Sequence, residues 1–428
     1  MITRIAGLLA LLLAPAGLAS AAGFANVPRT PGEFISGTHA PQQGRTAVIA
    51  YHNGILFTVP ETASSAPGSD FQVRTWDLAD PANPIELEQL GITPGPIQSH
   101  GYLKEGDMLV LGSNWPPTAP WSFRADPTYG SLTRTEHPHD GVYIRGHLYQ
   151  PWYIGDVYWS YSALGGDAYI ELRGDRLSEW DHLGTTGVIG HPFLIGNLLI
   201  FASDQTRTGV ATYDVSDPTN PILLDVLKEG GPGGYWPEIW GGDGKLLIVF
   251  PYRSGAHGMR VVDVTDPTDL KFVADTPLPG AEPMYAQFQD GYGFLGSHKV
   301  DMTTYESVLQ FDYQNAVRTT DGGVGLDVSQ FALPLGNLLI TGGASSGQGM
   351  AVWAHQAEPD TRGPSVGYHI PRAGQTDYPT TAAISLLIHE TLETATIVNG
   401  TTFIVRPLGG SPITVSYTHL TLPTTVIV

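Results

Sequence analysis

Ligand-type side chains recur in step along this sequence. His100 stands six residues before Gly106, His139 seven before Gly146, His191 five before Gly196 and Glu238 six before Gly244. Each of these glycines marks a turn after a short apolar strand. Gln287, four before Gly291, and Gln330, six before Gly336, hold the same place in two further units, with His52, His137 and Asp140 nearby. Three imidazoles and a carboxylate suit zinc, copper or iron and leave a position for water or substrate. A divalent metal held by His100, His139, His191 and Glu238 is therefore one expectation. The other is structural, since a polar side chain at the start of a strand often satisfies backbone groups of a neighbour.

Other chemistry is hard to find. There is no phosphate-cradling glycine loop, no Gly-x-Ser-x-Gly elbow, no His-Glu-x-x-His pair and no EF-hand loop. The stretch Ile388 to Thr391 reads IHET and lacks a second histidine. With no cysteine, thiolate metal sites, covalent haem attachment and thiol nucleophiles are excluded. Trp236 and Trp240 are read as packing between sheets, a gap that indole fills well. No catalytic and no cofactor-binding residue is assigned.

For the polar residues to meet, the strands that carry them must converge. Seven segments share one layout, an apolar strand after a glycine turn: HNGILFTV, KEGDMLVLGS, IRGHLYQPW, LIGNLLIFAS, GDGKLLIVFP, QDGYGFLGS and PLGNLLITGG. Their glycines, Gly54, Gly106, Gly146, Gly196, Gly244, Gly291 and Gly336, fall at intervals of 40 to 52 residues. That interval fits one four-stranded propeller blade, and seven copies fit a closed ring. The inner strands of such a ring line its axis. A second segment lies downstream in most units and ends in Asp80-Pro81, Asp126-Pro127, Asp217-Pro218, Asp266-Pro267 or Glu358-Pro359. Proline presets φ and the preceding acid accepts backbone N–H groups, so these carboxylates are turn-formers rather than ligands.

The run VATYDVSDPTNPILLDVL from Val210 to Leu227, and VRTWDLADPANPIELEQLG less closely, resemble the LVIVD-repeat family of bacterial β-propellers. The third and sixth units, AYIELRGDRLSEW and SVLQFDYQN, lack the Asp-Pro turn. The resemblance implies an all-β, seven-bladed β-propeller over residues 44–363 and says little of function, because propellers host many activities. From residue 364 the texture changes. The run ISLLIHETLETATIVNGTTFIVRP resembles a bacterial surface-layer type Ig-like domain, so residues 364–414 are expected to form an incomplete Ig-like sandwich segment with few contacts to the ring. Residues 415–428 contain VSYTHLTLPT, which resembles a translated sequencing adapter and is expected to be a non-native tail.

Arg4, the apolar run Ile5 to Leu13 and the small residues ending Ala19-Ser20-Ala21 have the layout of a secretory signal peptide over residues 1–22. The chain carries 41 Asp and Glu against 21 Lys and Arg, a formal charge of −20, which excludes nucleic acid as a partner. No other stretch is long and apolar enough to span a bilayer. The reading is an exported, monomeric propeller, periplasmic, cell-surface or extracellular. It serves as a non-catalytic scaffold that binds a protein or glycan, or else as a metal- or cofactor-dependent enzyme that uses the histidine cluster.

Overall fold

A computed structural model describes residues 24, 27–38, 45–52, 55–61, 71–92, 102–105, 108–111, 121–125, 132–135, 153–154, 157–164, 167–173, 180–182, 186, 188, 190–203, 208–217, 220–229, 237–252, 257–280, 283, 285–313, 331–342, 350–376, 378, 384–390, 419–420 and 425–427. Among them are eight four-stranded antiparallel sheets and no α-helix. Six are simple meanders. In chain order they open with the strands Arg45–His52, Tyr102–Glu105, Tyr153–Ile154, Gly190–Ile195, Glu238–Gly242 and Ala286–Gln289. The seventh takes three strands, Phe331–Leu335, Leu338–Gly342 and Met350–Ala354, and borrows its outer strand, Phe34–Gly37, from near the N-terminus. The expected start at residue 44 left that strand out.

The borrowed strand ties the two ends of the chain together. Its Phe34 meets Trp353 edge to face at 5.0 Å, and the Ser36 hydroxyl donates to the Pro81 carbonyl of the first sheet at 2.7 Å. The Thr212 hydroxyl of the fourth sheet donates in the same way to Pro267 of the fifth, at 2.6 Å. The seventh sheet thus reaches the first from its outermost strand and the fourth reaches the fifth from its third strand, each at an Asp-Pro corner. First strands also neighbour one another, the sixth sheet's against both the fifth's and the seventh's, and the seventh's against the first's. Antiparallel meanders set side by side with their first strands converging have β-propeller architecture.

Burial follows position across each sheet. Leu198–Ser203, a second strand, is buried at all six positions, so both of its faces are covered. Lys271–Pro277, an outermost strand, is exposed or half-exposed throughout. Two of the Asp-Pro corners behave as expected. Asp80 accepts the Ala82 N–H at 3.0 Å and Asp266 that of Thr268 at 3.0 Å, so both carboxylates are engaged in their own turns. In the sixth unit Asp301 does this work, accepting from Thr303 at 2.7 Å, and SVLQ proves to be the outer strand Ser307–Gln310.

The hairpins after the first strands come in two kinds. Asp243-Gly244 and Asp290-Gly291 have positive φ at both residues, the type I′ pattern, whereas Gly196 and Gly336 carry positive φ and precede an asparagine, the type II′ pattern. Glycine is therefore second in one turn and first in the other, which shifts any register counted from it by one residue.

The eighth sheet, Val366–Ile370, Ser385–Ile388, Thr425–Ile427 and His419–Leu420, departs from the expectation of a unit with few contacts to the ring. Its Tyr368, Ile370 and Leu387 enter the core between the fourth and fifth sheets, beside Phe193, Ile195, Ile239 and Leu246. At about 1.5–3 kcal/mol per buried side chain this contact is worth several kcal/mol. Thr425–Ile427, expected to belong to a non-native tail, pairs with Ser385–Leu387.

Candidate functional site

Counted from the strand pairs instead of from the turn glycines, the first strands line up differently. His191 lies four residues before Ile195, the last paired residue of its strand, and Glu238 lies four before Gly242. The two hold equivalent places on adjacent sheets. In the sixth and seventh sheets, whose last paired residues are Gln289 and Leu335, that place belongs to Tyr285 and Phe331. Gln287 instead pairs with Phe294 nearer the turn. One level of four successive sheets thus reads His191, Glu238 and Phe331 on their first strands, with Tyr285 immediately before the first paired residue of the sixth sheet, Ala286. Tyr285 and Phe331 stack with centroids 4.9 Å apart and planes inclined by 21°.

Glu238 is only 2% exposed, and its Oε1 has no hydrogen-bond partner among the described residues. Burial, with no cation beside it among the described residues, pushes its carboxyl well above the usual range and favours the neutral acid. A neutral carboxyl can both donate and accept, and an unsatisfied one in a dry site favours a polar ligand group. Among the described residues no group of three His, Asp or Glu stands close enough to hold a metal ion. His100, His139, His137, Asp140 and Gln330 lie outside the described residues, and His191 and His52 are placed on their strands only. Trp240 packs with Met259, Ala286 and Phe288 between the fifth and sixth sheets, as a space-filling indole does.

The opposite end of the first strands is covered by the chain itself. From His355, whose Nε2 lies 2.8 Å from the Gly336 carbonyl, the chain crosses the hairpins of four successive sheets. Arg362 reaches Asp290 at 2.8 Å, Gly241 donates its N–H to His389 Nε2 at 2.8 Å, and Gly196 donates its N–H to Ser385 Oγ at 2.6 Å. Residues 355–376, 378 and 384–390 form a cap over the turn end. The rung carrying Glu238 sits about 13 Å further along the strand, at ~3.3 Å per residue.

Beneath the cap lies a polar cluster that the repeat gave no reason to expect. Lys299 is 6% exposed, with Nζ 3.2 Å from the His355 carbonyl and 4.0 Å from the centre of the Tyr292 ring. Desolvation lowers its pKa to about 8. His355 is lowered to about 3, by burial first and then by Lys299. Glu390 is raised to about 8, again by burial first, then by Asp290 and Asp360. The sixth sheet and the cap meet here, residues far apart in sequence, so no periodic signal could have found the cluster.

No family model matches the chain, and no curated protein is similar to it in sequence. Among the solved structures that resemble it weakly are three from bacteria. A Bacteroides fragilis protein described as a candidate 6-phosphogluconolactonase is 11% identical, with a TM-score of 0.37 over 62% of this chain and 83% of that one. A Lactobacillus plantarum protein is 13% identical, with a TM-score of 0.37 over 63% and 84%. A Bacteroides uniformis protein described in the same way as the first is 13% identical, with a TM-score of 0.38 over 62% and 84%. Among the described residues no helix is long and apolar enough to cross a membrane.

Proposed function

We propose that the chain is an exported, non-catalytic, seven-bladed propeller of the LVIVD-repeat kind that binds a glycan at the end of the ring opposite its C-terminal cap. The observation that carries this reading is Glu238, a buried acid with an unsatisfied oxygen, on the same rung as the stacked pair Tyr285 and Phe331. Sugar hydroxyls can pair with a neutral carboxyl, and the stacked rings wall the same place with apolar surface, which supports a glycan as the ligand. The metal-dependent enzyme remains the second reading, favoured by the equivalent places of His191 and Glu238 on adjacent sheets.

A glycan array followed by calorimetry on Glu238→Gln and Phe331→Ala tests the proposal. Binding to a defined glycan, weakened about tenfold or more by either change, supports it. A metal that copurifies with the chain and is lost in Glu238→Gln favours the second reading, and binding indifferent to both substitutions overturns the site.

A further inference from the structure

We propose that the rim of the fourth and fifth sheets docks a basic, apolar segment of another protein, which adds in extended form to the edge of the outer strand Ile222–Glu229. Among the described residues eight large apolar side chains are exposed, and four of them stand on the outer strands of these two adjacent sheets. Ile222 is 58% and Leu223 49% exposed on the fourth sheet, and Phe272 and Val273 are each 39% exposed on the fifth. All four lie within the first three residues of their strands, just past an Asp-Pro corner. The two strands share one surface. Asp225 Oδ2 in the outer strand of the fourth sheet accepts the Leu270 N–H at 2.9 Å, immediately before the outer strand of the fifth begins.

The backbone supplies the second element. Both strands are outermost in their sheets, and among the described residues no strand pairs with the far edge of either. An edge strand presents N–H and C=O groups to any extended chain that lies along it, and the side chains beside the edge select what that chain carries. Ile222–Glu229 contains no proline, and its one bulge leaves residues 225–229 in unbroken register with residues 208–212. Glu238 stands on a first strand, three strands inward, so this surface is independent of the proposed glycan site.

Charge decides which segment fits. The sequence runs 214–229 and 263–275 hold eight Asp and Glu against Lys228 and Lys271, and Lys271 is already tied to Asp269 at 2.6 Å. A second copy in a two-fold contact would set this acidic surface against itself. At a formal charge of −20 the chain also repels an anionic lipid surface. A segment that mixes apolar residues with Lys or Arg meets both demands, covering Ile222, Leu223 and Phe272 while its cations face the carboxylates.

Two short synthetic peptides, one alternating Lys with Val and one alternating Lys with Ser, test this on the full chain by hydrogen exchange with mass spectrometry. The Lys/Val peptide should slow exchange over residues 222–229 by about tenfold, while Lys245–Tyr252 of the fifth sheet is unchanged. The protection should vanish when Ile222→Ser and Leu223→Ser are combined, a change at exposed positions that the fold tolerates. Equal protection by the Lys/Ser peptide or by a Glu/Val peptide, protection retained in the double variant, or none at all overturns the proposal. Sedimentation and vesicle flotation of the chain alone cover the other occupants. A dimer, or capture by phosphatidylglycerol vesicles, that the double variant abolishes would assign the surface to a second copy or to a membrane and overturn it equally.

Discussion

The backbone N–H of Gly241 ends on Nε2 of His389 at 2.8 Å, across 148 residues of sequence. The acceptor nitrogen must be unprotonated, so the bond fixes the tautomer and leaves the proton on Nδ1. His389 stacks near-parallel to Trp240, 6.4 Å between ring centres, and meets Phe288 edge to face at 5.2 Å. A single imidazole therefore ties the cap to the first strand of the fifth sheet and to the aromatic filling between the fifth and sixth.

His389→Phe keeps the ring and deletes the acceptor. Leaving the buried Gly241 N–H unpaired should cost about 1–3 kcal/mol in urea unfolding at neutral pH. The histidine's folded pKa is depressed, from 6.5 to about 3, so its contribution is fully present above 6.5 and is lost as pH falls toward 3. Parent and variant should converge in stability over that window. A constant gap between them would assign the cost to packing alone.

Two glycines four residues apart should behave oppositely. A Cβ at Gly367 would run into the Gly241 carbonyl, backbone against backbone, whereas one at Gly363 meets nothing within 4 Å. Gly367→Ala should destabilise by roughly 1–3 kcal/mol, as overpacking does. Gly363→Ala should stay within about 0.5 kcal/mol of the parent. Thermal melts of the pair read out the close approach of the cap without touching any polar group.

Glu238→Gln should stabilise the unliganded chain, and by more at pH 9 than at pH 5. The folded pKa of Glu238 is raised above its unfolded value, so the acid costs increasingly more as pH rises above the unfolded value. A melt difference that does not grow with pH would place a cation or a hydrogen-bond donor beside Glu238.

Much of the frame was readable from sequence because it repeats. Apolar strands such as Leu198–Ser203 must be buried on both faces, and the Asp-x-x-Asp-Pro corners build their own hydrogen bonds wherever they occur. The rung was misread because Gly244 and Gly336 occupy different places in their turns, which put Gln330 where Phe331 stands, whereas Gly244 and Gly291 share one place, so an even offset of six leads to Tyr285 and not to Gln287. The outer strand Phe34–Gly37 and the cap were missed for another reason. Both join places more than 100 residues apart and occur once each, so no periodicity announces them.

The account rests most heavily on the cap being part of the ring's own core rather than an appended domain. Comparing the thermal transition of the full chain with that of a chain ending at residue 363 tests this directly. Removing Tyr368, Ile370 and Leu387 from the core shared by the fourth and fifth sheets should lower the transition by about 10 °C, at ~2–4 °C per kcal/mol. A transition unmoved by the deletion would contradict the account and restore residues 364 onward as an independent unit.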